Sequence, residues 1–465
     1  MTLERNWSKG RGIACVLALL ATAAPAAAAD DEDLAKEDRI AALERKLDVL
    51  TSELERTRSD MALPEDGDLS SFMGLGPGAS KVYSLSRGLS IGGYAEGYYS
   101  AIVDDKKQSG AKNRSDMLRG VLYAGYKFTD NIVYNMEIEF EHATTGSTES
   151  SGSGSASVEF AALDFLIRDW LNARVGLVLL PMGFLNEIHE PPFFYGVNRP
   201  DAERRIIPTT WRENGVGIFG QLAEELEYKL YVVNGFNAEG FDPSGLRGGR
   251  QKGNRALSEH MAFIGRLDYT PVPELTLGGS VYVGNSGQDQ NVNVSSGGTF
   301  LAEVDIPDAL TTIWEIHGQF QKAGVTTRAL FTMATVDDAA DLSRALGPIP
   351  AGFGLPGGTG ELSAGEAVAD RMIGMYAEVG YEILQWIVPE TDMSLEPFFR
   401  YEYVDTQNEV PAGFNRDRTQ IVSTYTTGLH FKPIPNVVLK LDYRNRSARE
   451  GKLGDEVNAG FGVVF

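Results

Sequence analysis

The sequence predicts an all-β transmembrane barrel of about 16 antiparallel strands, preceded by a short N-terminal coiled-coil helix. Three observations support this fold class. Segments of alternating polarity recur from about residue 81 onward, their connections alternate between short and long, and the chain ends inside such a segment, EVNAGFGVVF, on Phe465. Alternation with a period of two gives a strand one apolar and one polar face. Short turns at one end and longer loops at the other are typical of barrels that span outer membranes.

Residues 1–29 have the features of a secretory signal peptide. Arg5, Lys9 and Arg11 precede a continuous apolar run, and a small-residue A-x-A site follows that run. The single cysteine, Cys15, lies at the start of the apolar run, so the mature chain has no thiol for a disulfide or a cysteine-bound metal. We therefore expect an exported protein that needs no metal and no cofactor.

Charge and hydropathy restrict the class of protein. The formal net charge is −22, and residues 1–29 carry a net +2, so the mature chain is at −24. Such an acidic chain is a poor nucleic-acid binder, and we expect no nucleic-acid partner. No stretch after the signal approaches the roughly 20 continuous apolar residues of a transmembrane helix. We predict a protein of the outer membrane of a Gram-negative bacterium, with membrane lipid as a partner.

Residues 30–63 are predicted to form a periplasmic coiled-coil helix. Apolar residues with 3-4-3-4 spacing mark the a and d positions of a heptad repeat: Ile40, Leu43, Leu47, Leu50 and Leu54. The repeat covers little more than two heptads, and a single amphipathic helix lying on a core is the alternative. Contact of this helix with peptidoglycan or another periplasmic component is a further expectation. The Pro- and Gly-rich residues 64–80 are predicted to be a linker, and residues 81–465 the barrel.

The barrel region divides into sixteen alternating segments. They lie near residues 88–103, 115–128, 131–144, 156–168, 172–181, 214–223, 226–236, 258–270, 274–285, 308–321, 323–336, 369–383, 392–405, 418–432, 435–447 and 455–465. An even number of strands returns the C-terminus to the periplasmic side. We expect the last strand to pair with the first near Gly88, because a closed barrel leaves no strand edge in lipid.

The polar parity of these strands is expected to line the lumen. If the apolar parity faces lipid, this second parity brings carboxylates and many basic side chains inward, as in a water-filled channel. The basic positions are Arg119, Lys127, Arg168, Arg174, Lys229, Arg266, Arg328, Arg400, Lys440, Arg444 and Arg446. For any one arginine, a salt bridge within the wall is the alternative to a role in binding solute.

The third outward loop, PMGFLNEIHEPPFFYGVNRPDAERRIIPTTWRENG at residues 181–215, differs from the other loops. It is rich in proline and aromatic residues, so we expect it to be folded and packed, as a constriction built by residues 181–213. Guanidinium groups are directional donors to anions, and the candidate anion-binding residues here are Arg199, Arg204, Arg205 and Arg212. They are expected to face the wall arginines Arg119, Arg174 and Arg400. In the alternative, the loop arginines pair with Glu187, Glu190, Asp201 and Glu203.

These features together resemble one known family. The signal peptide, the short coiled coil, the opening GLSIGGYAEGYYS, the block HEPPFFYGVNRPDAERRIIPTTWRENGVGIFGQL and the terminal Phe resemble the phosphate-selective porin O and P family. The resemblance implies a homotrimer of sixteen-stranded barrels, an inward-folded third loop and a basic ladder that guides anions such as phosphate. The loop contains no lysine, which departs from the phosphate-selective members. Dicarboxylates, sugars and non-selective diffusion of small polar solutes therefore stay open.

Other functional classes are less well supported. Barrel proteases and lipases need a histidine base within reach of a nucleophile or water and of a carboxylate or amide. The five histidines are scattered outside any recognisable catalytic motif, so we predict that the chain is not an enzyme. An adhesin, or a tether that grips the cell wall through the coiled coil, is the remaining alternative.

Overall fold

The structure of the chain is a computed structural model, which describes residues 39–52, 69–104, 110–148, 152–296, 299–347, 362–363 and 365–465. The predicted signal peptide and part of the predicted coiled coil and linker lie outside these residues. Sixteen antiparallel strands form one closed barrel in which each strand pairs with its neighbours in sequence. The predicted fold class is therefore confirmed.

The barrel strands alternate in direction around the closed sheet. In chain order they are β1 (Gly88–Ile102), β2 (Arg114–Thr129), β3 (Ile132–Glu141), β4 (Ser155–Arg168), β5 (Leu171–Leu179), β6 (Arg212–Ala223), β7 (Leu226–Asn234), β8 (Met261–Val272), β9 (Leu275–Asn285), β10 (Leu310–Lys322), β11 (Val325–Val336), β12 (Arg371–Tyr381), β13 (Ser394–Glu409), β14 (Ile421–Ile434), β15 (Val437–Ala448) and β16 (Glu456–Val464). We call the eight connections that follow β1, β3 and each further odd-numbered strand L1 to L8 in chain order; they lie at the long-loop end of the barrel, and the opposite end is the short-turn end.

The last strand closes the barrel on the first. Tyr94 of β1 lies opposite Val464 of β16, and the ladder continues to Ile102 opposite Glu456. Phe465 and Gly93 exchange two backbone hydrogen bonds, each of 2.9 Å. The alternating C-terminal segment is therefore a wall strand, and the sheet has no open edge.

The outer face of the barrel is apolar. Alternate strand residues expose large apolar side chains, and the other parity points inward and is mostly buried. Exposed aromatic residues lie at both ends of this face, with Trp170 and Trp386 at the short turns and Tyr425 and Tyr443 toward the long loops. An apolar band between two aromatic girdles is the exterior of a barrel in a lipid bilayer.

The segment before β1 packs against the inner wall, which differs from the linker predicted over residues 64–80. Helix α2 (Pro77–Ser84) lies against β1, β2 and β3. The Tyr83 hydroxyl donates to Asp164 at 2.7 Å, and the Asn135 amide donates to the Ala79 carbonyl at 2.7 Å. A Cβ on Gly78 would lie 2.9 Å from the ring of Tyr123, so this glycine permits close packing. The small residues of this segment therefore permit close contact with the inner wall and do not serve to make the chain flexible.

The remaining elements were not predicted from the sequence, except the N-terminal helix. Residues 39–52 form helix α1, whose Ile40, Leu43, Leu47 and Leu50 are each more than half exposed. L3 contains helix α3 (Asp201–Arg205), L6 contains α4 (Ala339–Leu346), and the turn between β12 and β13 contains α5 (Leu384–Ile387). Short two-stranded hairpins lie in L2 and L5. Among the described residues, no helix is both long and apolar enough to cross a bilayer.

Candidate functional site: the loop-filled lumen

L3, residues 180–211, crosses the lumen. The Gly183 amide donates to Glu315 on β10, and the Val197 amide donates to Asp442 on β15. These strands lie on different sides of the closed sheet, so the loop spans the space between them. The structure thus places the third long loop inside the barrel, folded and packed.

Asn186 holds the two ends of L3 together. Its side chain is fully buried, and its amide donates to the carbonyls of Leu180 at 2.6 Å and Trp211 at 2.8 Å. Its carbonyl oxygen accepts the Trp211 amide at 2.6 Å. The Trp211 ring in turn stacks on Phe236 of L4, with centroids 4.4 Å apart. The Asn186 side chain therefore joins the two ends of L3 at the point where the chain leaves the wall.

The wall arginines singled out from the sequence are engaged with carboxylates. Arg174 binds both oxygens of Asp164 at 2.7 Å. Arg119 is 2.9 Å from Glu96 and 3.1 Å from Glu139. A guanidinium so paired shapes the wall and has few donors left for a solute.

Arg400 and Arg212 are paired as well. Arg400 has no exposed surface, lies 3.0 Å from Glu402, and donates to the carbonyls of Tyr195 and Asn198 in L3. It anchors the loop to β13. The structure places Arg212 at the first position of β6, outside the loop, where it lies 2.6 Å from Glu159.

The other three loop arginines have no such partner. Arg199 donates to the His189 carbonyl and lies over the Phe194 ring, and Arg205 donates to Thr406 and Gln420. Arg204 is exposed. Among the described residues, no carboxylate oxygen lies within 4.0 Å of these three guanidinium groups.

The acidic residues proposed as alternative partners of these arginines are occupied elsewhere. Glu187 pairs with Lys229 at 2.7 Å, and Asp201 pairs with Arg444 at 3.1 Å. Glu203 accepts the Tyr376 hydroxyl at 2.6 Å. Glu190 accepts the Gly78 amide of α2 at 2.9 Å. These carboxylates fix the loop to the wall and to α2, and they do so without Arg199, Arg204 or Arg205.

Two arginines of L4 complete the group, and the sequence analysis missed them. Arg247 donates to the carbonyls of Thr209 and Arg204, and Arg250 donates to those of Pro208 and Thr210. These bonds hold L4 on L3. The segment LRGGRQKGNR is visibly basic, but nothing local in the sequence relates it to L3.

We call Arg199, Arg204, Arg205, Arg247 and Arg250 the arginine cluster. Burial, together with the charges of Arg250, Arg204 and Arg199, lowers the pKa of Arg247 to about 9. Burial, together with the charge of Arg212, lowers the pKa of Arg250 to about 10. Positive charges that are held together without carboxylate partners favour the binding of an anion, because the anion would offset the repulsion between them.

One group of possible metal ligands lies in L4 and L5. His260 Nε2 is 3.3 Å from Asp289 and 4.0 Å from Asp308. His260 Nδ1 accepts the Gln288 amide at 3.1 Å, which assigns the proton of a neutral ring to Nε2. That nitrogen then donates to Asp289, and it offers no lone pair to a metal.

Two cavities lie between L3 and the short-turn end. The first, of about 370 Å³, is lined by L3 and by β10, β11, β13 and β14. The second, of about 270 Å³, is lined by L3, by Gly74 of the segment before β1, and by strands β6 to β10 with their turns. Phe184, Ile188 and Gln319 line both, so the cavities adjoin.

The closed barrel, its apolar exterior and its polar, charged lumen define a porin-like β-barrel protein of the bacterial outer membrane. The chain belongs to the same family as an uncharacterised protein of Aquifex aeolicus (strain VF5), to which it is 36% identical over 413 residues, or 88% of this chain and 87% of that one. No protein-family model matches the chain. Its resemblance to the phosphate-selective porins therefore stays a prediction.

Solved outer-membrane proteins have a similar shape at low identity. OmpF of Salmonella typhi, in complex with daunomycin, aligns with a TM-score of 0.49 and 11% identity, covering 82% of this chain and 98% of that one. The outer membrane channel DcaP of Acinetobacter baumannii aligns with a TM-score of 0.48 and 13% identity, with the same coverage. OmpT of Vibrio cholerae aligns with a TM-score of 0.47 and 10% identity, covering 82% of this chain and all of that one.

Proposed function

We propose that the chain forms a trimeric, water-filled channel in the outer membrane of a Gram-negative bacterium. Small hydrophilic solutes diffuse through it, and anions such as phosphate are preferred. The arginine cluster is the observation that carries this proposal. Its five guanidinium groups lie on L3 and L4, which are joined by the bonds of Arg247 and Arg250, and they have no carboxylate partner among the described residues, in a chain whose average charge would attract cations.

The paired arginines Arg119, Arg174 and Arg400 are not part of the proposed anion site. These residues belong to the wall and to the anchoring of L3, so anion preference depends on the arginine cluster and not on a ladder down the wall. Arg204 and Arg247 are the exposed members, and they are the ones that a solute would meet first.

The trimer is proposed on the family resemblance and on α1. Its Ile40, Leu43, Leu47 and Leu50 form an apolar seam that is exposed along the described helix. Such a seam is stabilised by burial against other helices, as in a coiled coil. A seam of this composition is compatible with two or three strands, so the number of subunits comes from the resemblance alone.

Reversal potentials in planar bilayers under a KCl gradient test the anion preference. We expect the native channel to favour chloride, and the double variant Arg204→Ala, Arg247→Ala to shift toward potassium. The matched control is Arg344→Ala with Arg418→Ala, which removes two exposed long-loop arginines outside the cluster. A cation-selective native channel, or equal shifts in both double variants, would leave a general porin without an anion site.

A further inference from the structure

The larger cavity under L3 has one apolar wall. Phe184, Leu185, Ile188 and Phe193 of the loop line it. Tyr195 adds a ring that is stacked on Phe398 of the barrel at 5.1 Å and 8°. The loop therefore presents aromatic and aliphatic surface to a lumen whose walls are otherwise polar.

Tyr195 is held in place from two sides. Its hydroxyl donates to Glu396, and a Cβ on Gly380 would lie 2.2 Å from its hydroxyl oxygen. The ring fits because β12 has no side chain at that position. The apolar wall is thus positioned by the barrel and is not a chance exposure of the loop.

The facing wall of the cavity is basic. Arg328 donates to the Phe193 carbonyl at 2.8 Å, lies over the Tyr195 ring at 6.0 Å and is 3.4 Å from Glu378 on β12, so it keeps only part of its donors for a solute. Lys432 makes no hydrogen bond or ion pair with the described residues. The buried His430 also lines the cavity, and its ring nitrogens have no hydrogen-bond partner in the part of the chain that the structure describes. Glu396 is the only carboxylate among the residues that line it, and it accepts from Tyr195 and Ser394.

The adjoining cavity has the opposite character. Its lining includes Glu187, Glu224, Glu225, Glu227 and Asp268 against Lys229 and Arg266. Carboxylate solutes in the space below L3 would therefore favour the first cavity, where an unpaired cation and an apolar wall meet.

We propose that the first cavity is a binding site for organic monocarboxylates with an aromatic or bulky apolar body. The carboxylate lies against Lys432, with Arg328 and His430 as further donors, and the apolar body lies against Phe193 and Tyr195. The volume of about 370 Å³ falls within the range of about 300–1,000 Å³ of small-molecule sites. The inference rests on the proposed channel function and adds a solute class to it, distinct from the inorganic anions expected at the arginine cluster.

Block of the KCl current by benzoate tests the site. We expect benzoate to block at a concentration at least about tenfold lower than acetate or phosphate, because only benzoate buries an apolar ring. Benzyl alcohol, which has the ring without the charge, should block weakly. Lys432→Gln and Phe193→Ala should each raise the half-blocking concentration of benzoate about tenfold. Lys322→Gln, which removes an exposed lysine at the same end of the barrel, should leave it unchanged.

The outcomes separate this inference from the channel proposal. Equal block by acetate and benzoate, equal block by benzyl alcohol, or block indifferent to Lys432→Gln would each overturn the site while leaving a conducting channel. A preparation that conducts no KCl would contradict the channel instead. In that case, calorimetric titration of the detergent-purified protein with benzoate still tests the site. A heat of binding that the native protein shows and Lys432→Gln loses would support the site. No heat of binding in the native protein would refute it.

Discussion

The three hydrogen bonds of the Asn186 side chain, which we call the clamp, hold the two ends of L3 together, and their loss should make the loop easier to open. Asn186→Ala removes two donated hydrogen bonds and leaves the Trp211 amide without its partner. The carbonyls of Leu180 and Trp211 keep the amides of Met182 and Leu180 as donors. A stranded buried donor costs about 1–3 kcal/mol and each lost bond about 1 kcal/mol, so opening of the loop should become easier by about 3–5 kcal/mol.

Trypsin cleavage within L3 measures this opening, since the bonds after Arg204 and Arg205 become substrates only when the loop leaves the wall. Cleavage that follows the open population should be faster by roughly a hundredfold or more, because 1.4 kcal/mol is about a factor of ten. Asn186→Asp should have at least as large an effect, since a carboxylate cannot donate to two carbonyls. Asn254→Ala, at an exposed position of L4, is the control. Native-like cleavage rates in both Asn186 variants would refute the clamp.

Two further predictions concern the segments before β1. Deletion of residues 30–63 should lower the temperature at which the oligomer dissociates, because the α1 seam would no longer hold subunits together; an unchanged dissociation temperature in native gels would remove that role. Burial raises the pKa of Glu190 to about 8. Its contribution to the contact between L3 and α2 is therefore full below the unfolded value of about 4.5 and is lost as the pH rises through about 8. Amide-exchange protection of residues 78–84 should fall from pH 6 to pH 9, and Glu190→Gln should remove that fall; equal pH dependence in this variant would contradict the assignment.

The packing of residues 69–84 shows where composition misleads. Pro77 and Gly78 belong to a stretch that indicated a linker, and proline and glycine are indeed common where a chain turns freely. The same residue types also permit a helix start and a close approach to another surface. Only the positions of Tyr123 on the inner wall and Glu190 in L3 make Gly78 a contact residue.

The arginines show the same limit for the site. Their number and position indicated candidate anion-binding side chains in a lumen with charges of both signs, but pairing depends on which carboxylate lies across the ladder. Arg119 on β2 pairs with Glu139 on β3, whereas the Arg247 guanidinium of L4 donates to the backbone carbonyl of Arg204 in L3. Residues 204 and 247 come together only because L3 and L4 fold over the same end of the barrel.

The sequence by itself determined the barrel. Alternate residues of each strand indicate its two environments, and connection length indicates the end of the barrel everywhere except at residues 382–393, between β12 and β13. The number, order and direction of the strands therefore follow from local pattern. The tertiary structure alone decided what fills the barrel. L3, L4 and the segment before β1 meet there from distant parts of the chain, and the pairing of charges between them depends on distances that no period in the sequence encodes.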